Sequence, residues 1–380
     1  MTEPTTTSSV APQWSDAPVQ TRNERFASVH PDDFPAISAR QQEWRLSPIT
    51  ALSALADGEL DGGRYDVTVT GAEHNWVPLA SIAGQAGLPE DRLSARAWAT
   101  TVDALHVVVS GEGEPVLIHR TLSGVRAAHL VIEFTANTHR TVILQNSGDA
   151  ALAENVEIIL HDGSHGRLIH LGEWESTAIH AASHFVRIDK DAQLDHVLVS
   201  LGGAVQRVNP AFVLAGVGAR VESLGMYFAE RGQHVEHQVF VHHKAAQTHS
   251  NVLYKGALHG KGTRTVWVGD VLIGPDATGT DSYEANRNLV LSDGARADSI
   301  PNLEIETGDI AGAGHASATG RLDDEHLFYL QARGITETEA RRLVALGFLL
   351  DVVHRIANPE LEERLTALLS ESLDAIEATA

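Results

Sequence analysis

The chain has 380 residues with 28 basic and 50 acidic side chains, a formal charge of −22 at pH 7 and no cysteine. Such acidity disfavours nucleic acid and anionic lipid as partners, because both are bound by a basic face. The absent thiols exclude disulfides, thiolate nucleophiles, cysteine-built zinc sites and ligation of a cluster by this chain's own sulfur.

No run of about 18 apolar residues occurs, so no membrane-spanning helix is expected. The N-terminus lacks the basic-then-apolar order of a signal peptide, and a cytoplasmic location is the expectation. Residues 1–22 are rich in Thr, Ser, Pro and Ala and are expected to form a disordered tail. Residues 23–103 are expected to form a helical N-terminal region. Pro35 to Trp44 spaces its apolar residues helically before a break at Ser47-Pro48. Leu79 to Ala86 predicts another short helix, closed by Gly87-Leu88-Pro89.

At Ala104 the rhythm changes. Short β-branched runs such as His106–Val109, Leu130–Phe134, Val156–Leu160, Val239–Val241 and Val266–Val268 continue to about Thr319. Gly, Asn and Asp separate them roughly every 10 residues, the signature of many short strands. No long helical pattern intervenes, which argues against a βαβ parallel sheet. One hexapeptide recurs: Asp191-Ala192-Gln193-Leu194-Asp195-His196, Gly218-Ala219-Arg220-Val221-Glu222-Ser223 and Ala245-Ala246-Gln247-Thr248-His249-Ser250, each starting 27 residues after the last. A looser copy is Gly294-Ala295-Arg296-Ala297-Asp298-Ser299. A period of that size built from short strands predicts a solenoid, here a right-handed parallel β-helix over 104–320 with the alanines stacked inside a corner. A β-sandwich is the structural alternative.

Residues 321–380 are expected to be a helical C-terminal domain. Acidic residues open a helix over Asp323 to Ala332, and Arg333-Gly334 stops it. Thr336 with Glu339 forms a capping box for a helix to about Ile356, with Ala340, Leu343, Val344, Phe348 and Leu350 as its apolar stripe. Asn358-Pro359 starts a third helix bearing Leu361, Leu365, Leu368 and Leu369 on one face.

Histidine is frequent, with 21 copies, and is densest at His234, His237, His242, His243 and His249. These would be metal ligands only if their side chains converged, yet on a strand His234 and His237 face opposite sides. Satisfied surface histidines and a metal centre both remain open for this group. His315 is the sharper candidate, because Gly312-Ala313-Gly314 and Ala316-Ser317-Ala318 leave its ring uncovered and allow close approach. Enzyme signatures are missing. Gly260-Lys261-Gly262-Thr263 lacks phosphate-loop spacing, and Gly163-Ser164-His165-Gly166 lacks that of a nucleophile elbow. A polysaccharide-active β-helix enzyme would need paired carboxylates and aromatic platforms, and aromatics make up only 5% of the chain.

Six pieces occur in fixed order: Asp281-Ser282-Tyr283-Glu284-Ala285-Asn286-Arg287-Asn288-Leu289, Pro301-Asn302-Leu303-Glu304-Ile305, Gly314-His315-Ala316-Ser317-Ala318-Thr319-Gly320, Asp324-Glu325-His326-Leu327-Phe328-Tyr329-Leu330, Arg333-Gly334-Ile335 and Ala345-Leu346-Gly347-Phe348. Together they resemble the C-terminal half of the SufB/SufD family of iron–sulfur cluster assembly proteins, and SufD more than SufB. The resemblance implies a non-catalytic scaffold that binds no cofactor alone and builds an iron–sulfur cluster with a SufB-like paralogue. It implies a SufC-like ABC ATPase docked around Leu327, Phe328, Tyr329, Gly334, Gly347 and Phe348, whose ATP binding moves the paralogue interface. A reduced flavin accompanies such complexes, although no flavin motif is present here. His315 falls on the SufD histidine implicated in cluster assembly at the SufB interface, where an imidazole can contact iron or carry a proton. Ala313 stands where some SufD relatives carry a cysteine, so any thiolate has to come from the partner. A homodimer is the expectation for the chain alone. A stand-alone histidine-rich metal-binding β-helix is the alternative reading.

Overall fold

A computed structural model describes residues 25–322 and 324–377; the tail expected over 1–22 lies outside the described residues. Two nine-stranded sheets share one core, and from Asp103 onward consecutive strands go to alternate sheets. Each strand pairs in parallel with the strands two places before and after it, which winds the chain into a parallel β-solenoid of about eight turns. The β-branched runs supply strand propensity, and each corner carries the chain to the opposite sheet so that neighbours stay parallel.

The register corrects the repeat. Gln193 pairs with Arg220, 27 residues on, but Arg220 pairs with His249, 29 on, and His249 with Asp281, 32 on. The first two copies of the hexapeptide therefore stack, and the third slips by two. The cause is a corner of four residues, Glu230–Gln233, where the preceding coil turns in two, Gly203-Ala204. The fourth copy lies on the other sheet, where Arg296 pairs with Arg264. Ala192 and Ala219 are buried in the corner as expected, and the row continues as Thr248 and Thr280, hydroxyls 3.0 Å apart.

The N-terminal region contains less helix than expected. Its helices are α1 (Ser53–Asp57), α2 (Arg92–Thr100) and three short 3₁₀ turns, of which Gln42–Trp44 and Leu79–Ser81 are all that forms in the two predicted helical stretches. Asp91 caps α2 by accepting from the Ser94 amide at 2.8 Å. Two unanticipated strands, Val67–Thr70 and Glu73–Pro78, pair antiparallel with the first strand of each sheet and close that end of the solenoid. Trp44, Leu52, Leu55, Leu93 and Ala97 pack over Ala127, Ala153, Ala181 and Val205, small residues that let the segment approach one sheet's outer face.

The C-terminal helices are α3 (Asp324–Gln331), which packs on α4, and α4 (Glu337–Val353) and α5 (Pro359–Glu377), which cover the other sheet. Thr336 caps α4 through its side chain, and Gly334, at φ +86°, ends the turn after α3. The buried row of α4 is Ala340, Ala345, Leu349, Val352 and Val353, rotated from the expected stripe, with Leu343 exposed. Leu361, Leu365 and Leu369 of α5 are buried as expected. These helices meet Ile169, Leu171, Val197, Val199, Met226 and Phe228 on the sheet. Ion pairs Lys255–Asp351 (2.7 Å) and Arg364–Glu173 fix them in place. The middle strands of both sheets are thus buried on two faces. Among the described residues no helix is long and apolar enough to cross a membrane.

The lumen is not purely aliphatic. Arg120 and Glu154 form a fully buried pair at 2.9 Å, joined by Asn146 and His180. Farther along, the Nδ1 of His184 and the Nε2 of His196 are 3.3 Å apart. Tyr254 lies over Gly225 and Tyr227 over Gly256, where an added Cβ would stand 2.1 and 1.7 Å from the rings. Tyr254 and Gly256 sit mid-strand, and the ring of Tyr227 takes the place of a side chain at Gly256. Gly256→Ala is expected to cost about 1–3 kcal/mol by overpacking, whereas Gly320→Ala, with open space around it, stays near neutral. Equal urea midpoints for the two variants would contradict this packing.

Burial holds His170 and His196 well below the usual histidine range, His184 and His243 at about 3 and His237 at about 4. The unfolded chain takes up protons near pH 6.5 while these side chains stay neutral in the fold. Stability is therefore complete above pH 6.5 and falls as pH drops towards 4, by at most about 1.4 kcal/mol per unit per histidine. Glu284, pushed up to about 8 by burial, works in the opposite sense between 4.5 and 8, but it is one group against five. Urea titrations at pH 7, 6 and 5 are expected to show falling stability, less steeply in His196→Gln. A midpoint constant over that window would refute the assignment.

Candidate functional site at the open end of the solenoid

The last coil is built by the strands Arg296–Ile305 and Ile310–Arg321, the final members of their sheets. Each is paired along one edge only, so a row of backbone donors and acceptors faces outward. Ile310–Arg321 is twelve residues long and mostly exposed. The other end of the solenoid is closed by the two short antiparallel strands, so the two ends differ in kind.

Alternation decides what the open end presents. In the preceding coil the inward residues are Ser282, Glu284, Asn286 and Asn288, all buried. Their register partners in the last coil are Ala313, His315, Ser317 and Thr319. The lumen, largely aliphatic in its middle coils, therefore ends in a polar row. Its base is fixed by hydrogen bonds: Tyr227 Oη donates to Asn288 Oδ1 at 2.6 Å, and the Asn286 amide donates to Tyr227 Oη at 2.9 Å. The Asn288 amide also donates to Asn286 Oδ1 at 2.6 Å.

His315 stands exposed on the last strand between small residues, as its sequence context predicts. One coil deeper, its register partner Glu284 is only 1% exposed. The Glu284 carboxyl reaches across the lumen into the space above Gly269, where a Cβ would lie 2.4 Å from Oε2, beside the Trp267 ring. Burial pushes its pKa up to about 8 against the backbone amide of Asn302, and Oε1 has no hydrogen-bond partner. The sequence reading passed over Glu284. Its signal was there: Ser282, Glu284, Asn286 and Asn288 make one face of the strand wholly polar, which is unusual between buried neighbours.

The His234–His249 group does not converge. His234 lies on the outer face beside Glu236 at 3.1 Å, while His237 and His243 point into the lumen. His249 is on the other sheet, between Glu222 and Asp281. Among the described residues no three His, Asp or Glu side chains gather to hold a metal. The residues expected to dock an ATPase divide in two. Phe328 and Tyr329 are 73% and 57% exposed, and Gly334 and Gly347 are also exposed. Leu327 is buried, and Phe348 is half-buried beneath the Lys255 ammonium at 4.9 Å, so these two hold the helices in place.

Comparison with known proteins agrees with this architecture. A family model described as the SUF system FeS cluster assembly SufBD core domain matches residues 118–348. The chain is 43% identical over 376 residues to an iron-sulfur cluster assembly SufBD family protein of Mycobacterium tuberculosis, covering 94% of each. It is 41% identical over 372 residues to a SufBD family protein of Mycobacterium leprae, covering 93% of this chain and 94% of that one. A relative of the same description from Staphylococcus epidermidis is 29% identical over 194 residues, covering 51% of this chain and 41% of its own. A chain matched at this length, with its open-ended β-solenoid, belongs to the SufBD family of the SUF iron–sulfur cluster assembly system.

Proposed function

We propose that the chain is a SufD-like, non-catalytic scaffold subunit that pairs with a SufB-like paralogue and carries a SufC-like ABC ATPase. The single observation behind this reading is the uncapped, polar end of the solenoid with His315 on its rim. A free parallel edge is a template for another strand, and a second β-solenoid offers the matching one. Without the paralogue, a second copy of this chain takes the same edge. A chain with no thiolate cannot hold a cluster alone, so sulfur ligation falls to the partner and this side contributes imidazole, carboxylate and hydroxyl groups. The flavin belongs to the assembled complex rather than to this subunit, and the complex works in the cytoplasm.

The ATPase surface is the exposed part of α3 and the turn after it, around Phe328, Tyr329 and Gly334, with Gly347 on α4. Two large aromatics this exposed favour a partner's surface over solvent. ATP binding by that partner then moves the paralogue interface.

Co-expression with both partners tests the two interfaces separately. Point substitutions suit this better than deleting 321–380, which would bare the apolar sheet face under α4 and α5. Phe328→Glu with Tyr329→Glu is expected to lose the ATPase and keep the paralogue; retention of both would reject the surface assigned to α3. His315→Ala is expected to keep both partners while cutting the cluster recovered on the complex at least roughly tenfold. Unchanged cluster yield would remove His315 from the assembly site.

A further inference from the structure

We propose that Glu284 is a second ligand, beside His315, for the divalent transition metal ion delivered to the open end, so that this chain holds half a coordination shell which a partner surface completes. The inference deepens the scaffold reading and rests on it for where the metal comes from.

Position comes first. Glu284 and His315 are register partners on adjacent parallel strands, which lie about 4.8 Å apart, and alternation points both towards the lumen. His315 is on the rim and Glu284 one layer below. Asn302, whose backbone amide meets the carboxyl, belongs to the last strand of the opposite sheet, so the carboxyl sits at the level of the final coil.

The second observation is an unmet demand. A buried carboxyl oxygen without a partner is costly, and such groups persist where something other than stability retains them. No basic side chain pairs with Glu284 among the described residues. Trp267 Nε1 and Ser299 Oγ, also in the last two coils, are likewise buried without partners. Unpartnered polar atoms in the coils that flank Glu284 leave a demand that a polar or charged occupant would meet. A carboxylate oxygen and an imidazole nitrogen suit ferrous iron and its neighbours in the first transition series.

The third point is incompleteness. No group of three candidate ligands exists among the described residues, so the site cannot be a closed structural metal centre. Two ligands at an open edge can receive an ion and still release it to a cluster.

The test uses Co(II) alone as the probe, titrated without oxygen into the full-length chain, by itself and with its retained partners, and followed by ligand-field absorption. Glu284→Gln and His315→Ala are each expected to weaken Co(II) binding at least roughly tenfold, and the double variant little further, as for one shared site. Glu284→Gln is also expected to keep its partners and to unfold at the same temperature or higher, because the amide removes a buried acid; a packing role would lower that temperature. Wild-type affinity in Glu284→Gln, or no Co(II) binding by the wild type in either state, would overturn the proposal. If Co(II) binding follows Glu284 and His315 while neither partner is retained, the scaffold reading fails and the ligand pair stands.

Discussion

The structure depends on one constraint: each coil must offer its backbone to the next in parallel register. That pairing fixes which side chains stack, because a register slip of one residue would turn every inward group outward. It forces the lumen to be compatible along its whole length, layer upon layer. The Gly225–Tyr254 and Tyr227–Gly256 pairs show the rule at work, since each ring occupies the volume its register partner leaves empty. Coil length can drift from 25 to 32 residues because the extra ones are absorbed in corners, outside the ladder. The constraint also has to end somewhere. At the start it ends in two antiparallel strands; after Arg321 it ends in an open edge that carries His315 and a polar row.

Covering both sheet faces leaves the polar lumen isolated from water. Arg120 with Glu154, and Arg207 with Glu236 and Asp91 on the outer face, are ion pairs whose desolvation offsets much of their attraction. Their value lies in registry, since a guanidinium forked between fixed acceptors admits one alignment of neighbouring coils. The buried histidines act alike. Burial favours the neutral form of His170, His184, His196, His237 and His243, so the interior tolerates them near neutral pH and resists them in acid.

Much of this was legible in the sequence because it is local. The change of rhythm at Ala104, the strand runs, the corner alanines and the caps at Thr336 and Gly334 all follow from propensity and turn chemistry. What escaped depends on distant contacts. The third repeat copy looked aligned because Ala246 resembles Ala219, but a longer corner in the same coil moved Thr248 into that place. Val67–Thr70 and Glu73–Pro78 are too short to stand out, and they become strands only because sheet edges await them. The expected docking set mixed exposed and buried residues, since Leu327 and Phe348 are apolar like Phe328 and Tyr329 and only tertiary packing separates them. His315 was visible through its small neighbours. Glu284 was not, because a lone glutamate in a strand declares itself only once its side is known to be inward.

The absence of cysteine and the polar open end belong together. On the proposed reading, a scaffold that accepts an ion and gives it up is better served by oxygen and nitrogen donors than by thiolates, which bind soft metals tightly and are readily oxidised. Placing those donors at the rim of a rigid lattice fixes their direction while leaving coordination positions free for another chain. The open edge that would be an aggregation hazard in an isolated β protein would, on that reading, allow a partner to finish the site. Exposure, polarity and incompleteness at one end are then a single property, set by where the solenoid stops.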